Sequence, residues 1–290
     1  MPAGWGKKHR TALRSWWRKR RIVLIGVALA TSIMAVGWPA PGSAYYSAGV
    51  SMGLKQAQTT LPTLQSHPLP PSLAQWQATE ENYFSAVAST PVGYLIWSEF
   101  PVKVYLERPP LTNAAASTQR FQQWVDAVQS AIQEWNRYFP LVAVEQPEIA
   151  DIVIERSHPP RKVTVREDGL LNIPRARSAQ TTYRFYLQQS ILSHRMLIQI
   201  RPGQSPAATQ ATARHELGHA LGIWGHSPSP SDALYFSQVR DSPAISPRDI
   251  NTLKKIYQQP TRLGWKLKTK SLRDGEKEKG KSVPPGRGRG

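Results

Sequence analysis

His215-Glu216-Leu217-Gly218-His219-Ala220-Leu221-Gly222-Ile223-Trp224-Gly225-His226-Ser227 holds two histidines four residues apart and a third seven residues further on. On an α-helix, positions four apart differ by about 40° around the axis, so His215 and His219 present both imidazoles to one point. Neutral imidazole suits zinc, and a zinc ion used for chemistry keeps three protein ligands and one open position. Glu216, beside the first histidine, reaches the place where a zinc-activated water would sit, as its general base. Gly222 lets the chain leave the helix, and His226 follows on the next bend as the expected third ligand. Asp232 and Asp241 are the aspartates that compete with it for that role. A glutamate ligand from a later helix is excluded, because no Glu lies between Leu217 and Arg273.

Outward from this stretch the pattern is α/β. Thr209 is expected to cap the histidine-bearing helix. Upstream, Val102–Leu106 alternates as a strand does. A helix follows from Ser117 or Thr118 through Trp124, Val125, Val128, Ile132 and Trp135, whose spacing of three and four gives one apolar face. Leu141–Val144, Asp151–Ile154, Thr181–Leu187 and Arg195–Ile200 are further strands, with a polar stretch running to about Gln180. Downstream, Ser246 and Pro247 open a last helix that ends near Tyr257, serine as cap and proline in the first turn. His158, beside two prolines, and His194, before a strand, read as ordinary surface or loop residues.

The ends differ from the middle. Of 290 residues, 37 are Lys or Arg and 19 are Asp or Glu. Residues 1–40 hold eight basic and no acidic residues, and 260–290 hold ten against three, so the net charge of +18 belongs mostly to the ends. Between 92 and 259 there is no basic stripe with interleaved aromatics, and nucleic acid is not expected as a partner. The absence of cysteine excludes a disulfide framework, a thiolate metal site and a catalytic thiol.

Domain boundaries follow. Residues 1–21 are a basic N-terminal segment. Residues 22–38 are seventeen uncharged, mostly apolar residues behind Arg18-Lys19-Arg20-Arg21, a signal anchor or a signal-peptide hydrophobic segment. Either reading puts the remainder outside the cytoplasm, membrane-anchored through the N-terminal segment or secreted or periplasmic. Residues 39–91 are a Pro-rich linker or spacer, with a short helix candidate at Ser72–Ala88. Residues 92–259 are the folded domain, and 260–290 a basic disordered tail.

HELGHALGIWGHS resembles the zinc signature of the metzincin metallopeptidases, and its surroundings are most similar to the matrixin branch. FPVKVYLE resembles that family's first strand, ADIVIERS a central strand, and SPRDINTLKKIY its closing helix, so the resemblance covers roughly residues 92–258. It implies a twisted, mostly parallel five-stranded sheet with two long helices, and a small C-terminal subdomain with a third helix. The implied activity is that of a zinc endopeptidase acting on proteins or peptides, with Tyr183–Leu187 as the antiparallel edge on which an extended peptide aligns. Ser231–Tyr235 falls where the family has its methionine turn. Leu234 then replaces the methionine as hydrophobic base, and Tyr235 packs beside the substrate pocket.

The sequence departs from the family twice. Its third histidine stands four rather than three residues after Gly222, with Gly225 added, and Leu234 stands for methionine. Calcium and additional structural zinc sites are not legible. Cysteine-based latency is excluded, and residues 41–91 contain no Asp for an aspartate version. The alternative is a non-catalytic, zinc-stabilised peptide- or surface-binding module, which would have no use for Glu216.

Overall fold

In a computed structural model of the chain, the described residues are 59–269, apart from residue 80 and the stretches 111–115, 162–163, 166, 173–175, 238 and 240. The basic segment 1–21, the apolar stretch 22–38 and most of the C-terminal tail lie outside them. Among the described residues, no helix is long and apolar enough to cross a membrane.

The elements that build the domain are β1 (Val102–Leu106), α1 (Ala116–Asn136), β2 (Leu141–Ala143), β3 (Ile152–Glu155), β4 (Ala179–Gln188), β5 (Ile191–Ile200), α2 (Pro206–Leu221) and α3 (Pro247–Tyr257). In β1, Val102, Val104 and Leu106 alternate into the core, whereas Ile152, Val153 and Ile154 of β3 are all buried. A strand covered on both faces needs a continuous apolar run, and β3 is the middle strand. The order is β2-β1-β3-β5-β4. β1 runs parallel to β2 and β3, and β3 parallel to β5. Only β4 is antiparallel, joined to β5 through Gln189 and Ser190, both at positive φ as a two-residue hairpin requires. The expected α/β class with a mostly parallel five-stranded sheet is therefore what the chain forms, and β4 is its antiparallel edge.

α1 buries the stripe Trp124, Val125, Val128, Ala131 and Trp135. It also grips α2: Trp135 Nε1 donates to the carbonyl of Arg214 at 2.8 Å. The Arg214 guanidinium forks onto Glu134, Nε to Oε2 at 2.5 Å and Nη2 to Oε1 at 2.8 Å. Arg214 immediately precedes His215, so this pair fixes the rotation of α2 just where the histidines begin. The cap of α2 differs from expectation. Ser205, not Thr209, is the N-cap and accepts from Ala208 N, with Pro206 in the first turn. Thr209 is instead buried one turn inside the helix. For α3 the expected start holds, with a reciprocal capping box between Ser246 and Asp249.

Two boundaries are corrected. Residues 61–91, read from sequence as part of a spacer, pack on the domain: Leu73, Tyr83 and Val87 belong to the main core. Trp76 Nε1 donates to Asn251 Oδ1 at 2.8 Å, and Lys254 Nζ to the Trp76 carbonyl at 2.7 Å. The helix candidate at Ser72–Ala88 is reduced to Pro71–Gln75 and a 3-10 turn at Phe84–Ala86. The apolar residues here follow no helical or strand period, because they pack one at a time over α3 and against the turn that follows α2. Downstream, Thr261 and Leu263 are buried, and residues 264–267 pair with the start of β5 (Leu192 N to Trp265 O, 3.0 Å). The folded part thus extends past Pro260, and Thr59–Thr60 pairs antiparallel with Lys268–Thr269.

Candidate metal centre

His215 and His219 lie on one face of α2, their Nε2 atoms 3.1 Å apart. Two ligands at about 2.0–2.1 Å from a tetrahedral zinc ion stand about 3.3 Å apart, so the spacing is that of a ligand pair. Each ring is oriented by its other nitrogen. His215 Nδ1 lies 2.9 Å from the Ala233 carbonyl and His219 Nδ1 2.7 Å from the Ile223 carbonyl. A carbonyl can only accept, so each Nδ1 carries the proton and each Nε2 lone pair is left for an ion.

The chain turns at Gly222, whose φ of +127° suits glycine and where a Cβ would stand 2.5 Å from the Leu95 carbonyl oxygen. It then brings back His226. The ligand atoms of His215, His219 and His226 all lie within 4.8 Å of one another, and His226 Nε2 is buried with no hydrogen-bond partner. A buried lone pair without a donor is costly unless something electropositive meets it, and a zinc ion would. Burial holds all three rings well below the usual imidazole pKa, His215 and His226 to about 4 and His219 to about 3. All three are therefore neutral at pH 7, the state in which imidazole binds metal. The donor set fits zinc.

Neither competing aspartate joins the cluster. Asp232 is fully buried and spends its oxygens on Ser227 Oγ (2.5 Å), Ser246 Oγ (2.7 Å) and Arg248 Nε (3.1 Å). Asp241 is exposed.

No known family's sequence model matches this chain, and no curated protein matches it either.

The extra glycine before His226 has a packing reason. Ala88 N donates to the Trp224 carbonyl at 3.0 Å, and Val87 bridges to Gly225. A Cβ on residue 225 would run into the Ala86 carbonyl oxygen. Segment 86–88 is thus laid flat against the turn that carries His226. Leu234 is fully buried against α2, where a Cβ on Gly218 would come within 2.5 Å of its Cδ2. Tyr235 is half-buried, its ring 4.5 Å from that of Phe236, which is exposed.

Glu216 is buried, and burial raises its pKa. Its Oε2 accepts from Thr181 Oγ1 at 2.6 Å, across from α2 to the edge strand β4. Sequence reading did not single out Thr181: strand periodicity gives its face, but nothing marks a threonine in a β-strand as the partner of a helix glutamate 35 residues away. The carbonyls of Ala233 and Ile223 were equally invisible, since any residue carries one.

His194, expected at the surface or in a loop, is buried and stacked on Trp97 with ring centroids 3.9 Å apart. The alternation of β5 turns it inward. Burial alone holds it down to about 3. An unfolded histidine titrates near 6.5, so below that pH the unfolded chain binds a proton that the folded one refuses. Stability is full above pH 6.5 and falls as pH drops toward 3, by about 1.4 kcal/mol per unit. Urea unfolding of the metal-free chain at pH 6.5 and pH 5 should differ by about 2 kcal/mol more in the wild type than in His194→Phe. Equal differences would remove His194 from the acid response.

Proposed function

We propose that this chain is a zinc-dependent endopeptidase that hydrolyses peptide bonds of proteins or peptides outside the cytoplasm. The observation that carries the reading is the convergence of three neutral histidine nitrogens next to a buried carboxylate, alongside the antiparallel edge strand of the sheet. The matrixin-like pattern of the sequence agrees with it, and so does the burial of Leu234 against α2.

Zinc, when bound, supplies a Lewis acid that polarises a carbonyl and acidifies water. The chain supplies the rest. His215, His219 and His226 would hold the ion, with the Ala233 and Ile223 carbonyls setting the first two rings. Burial makes the Glu216 carboxylate a stronger base than one in water, suited to take a proton from the attacking water and return it to the leaving amine. β4 carries Thr181, which touches Glu216, and Tyr183, which packs edge-on to Trp224 at 5.1 Å. The same strand that borders the centre is also the last in the order of the sheet, the position at which an extended peptide could add as a further strand. Residues 18–38, a basic run and then an apolar stretch, support export or anchoring of this domain.

The test is to load the full chain with zinc and present a peptide library. We expect one tightly held zinc per chain, and cleavage that a chelator abolishes and added zinc restores. Stoichiometric zinc without cleavage of any peptide would leave the non-catalytic binding module as the better reading.

A further inference from the structure

We infer that Thr181 is a positioning residue for Glu216, its hydroxyl fixing one carboxylate oxygen so that the other is left free to take the proton of the attacking water. This rests on the peptidase reading above. Thr181 Oγ1 lies 2.6 Å from Glu216 Oε2 and 3.1 Å from the Glu216 carbonyl oxygen. The shorter contact is in the range of an O–H···O⁻ bond to an ionised acceptor, about twice as strong as a neutral one.

Both residues are out of solvent, Thr181 at 0% and Glu216 at 7% exposure. Alternation along β4 points Thr181, Tyr183 and Phe185 inward, and the last two are apolar contacts in the core. A hydroxyl at such a position is unfavourable unless it is bonded, and valine would fill the same space. The one acceptor that this hydroxyl meets besides a main-chain oxygen is the side chain that the mechanism uses. A glutamate tethered through one oxygen loses its freedom to rotate about its terminal bond. The carboxylate is thereby prearranged before substrate arrives, which is worth rate rather than binding.

The experiment uses the full, zinc-loaded chain and compares wild type, Thr181→Val, Thr181→Ser, Glu216→Gln and the double variant Thr181→Val/Glu216→Gln. Two readouts are taken: kcat and KM on a peptide that the wild type cleaves, and the Kd of acetohydroxamic acid by calorimetry. We expect Thr181→Val to lower kcat by at least about tenfold with KM unchanged, and Thr181→Ser to restore most of it. Hydroxamate, which shares a proton with the carboxylate, should bind more weakly to Thr181→Val, yet the double variant should bind it no more weakly than Glu216→Gln alone.

A kcat for Thr181→Val at or above that of the wild type would overturn the inference; a rise would mean that the hydroxyl parks Glu216 away from the chemistry. Additive losses in the double variant would overturn it too. So would loss of zinc from both Thr181 variants, which would make the residue part of the fold. Wild-type cleavage that does not depend on Glu216 would instead sink the peptidase reading, and this inference with it.

Discussion

Glu216→Gln should lower kcat by about three orders of magnitude while the chain still holds one zinc ion. A positioned general base contributes roughly 10²- to 10⁴-fold, and a buried one with raised basicity belongs in the upper part of that range. Glutamine keeps the shape and can still meet Thr181 Oγ1, so α2 and the histidine spacing should survive. The ring orientations depend on the Ala233 and Ile223 carbonyls, which the substitution does not touch. Single-turnover cleavage and bound zinc are measured on the same preparation. Retained cleavage within about tenfold of wild type would exclude Glu216 as the base.

Removing residues 1–91, so that the chain begins at Val92, should abolish both cooperative folding and tight zinc binding. The sequence gives no warning of this, since 39–91 reads as a spacer. Yet Leu73, Tyr83 and Val87 lie in the core, and burying each stabilises by roughly 1.5–3 kcal/mol. Tyr83 Oη donates to Asp249 Oδ1 at 2.5 Å; Asp249 Oδ2 accepts from Ala233 N at 2.9 Å; the Ala233 carbonyl then takes His215 Nδ1 at 2.9 Å. Deletion therefore leaves a buried carboxylate short of a donor at the second step from His215. It also strips segment 86–88 from the turn that carries His226. These losses together are comparable with the whole net stability of a domain, about 5–15 kcal/mol. Thermal unfolding and zinc titration of chains starting at residue 59 and at residue 92 make the comparison. A chain from 92 that melts cooperatively within a few degrees of the longer one would refute it.

The two expectations differ in how they could be reached. The place of Glu216 beside the histidines was legible because it depends on helix geometry: position i+1 from a histidine, with the next histidine at i+4, constrains three side chains through one regular element. Strand β1 and helix α1 were legible because each repeats an apolar residue at its own period, β3 because it is a short continuous apolar run, and the start of α3 because serine and proline mark a helix cap. His226 was only half legible. The sequence puts a histidine after a glycine, but whether a turn one residue longer still returns the ring depends on what packs against Gly225, and that is the Ala86–Ala88 backbone.

The sequence by itself determined that two histidines and a glutamate share one turn of helix, that an α/β sheet surrounds them, and that the charge is gathered at the chain ends. These follow from local periodicity, which a single segment carries in full. Only the tertiary structure decided that His226, rather than Asp232 or Asp241, completes the cluster. It also decided that Thr181 holds the glutamate, that main-chain carbonyls set the imidazoles, and that residues 61–91 brace the site. Each of these is a contact between segments far apart in the chain, made by residue types that are common everywhere, and no spacing within one segment encodes it.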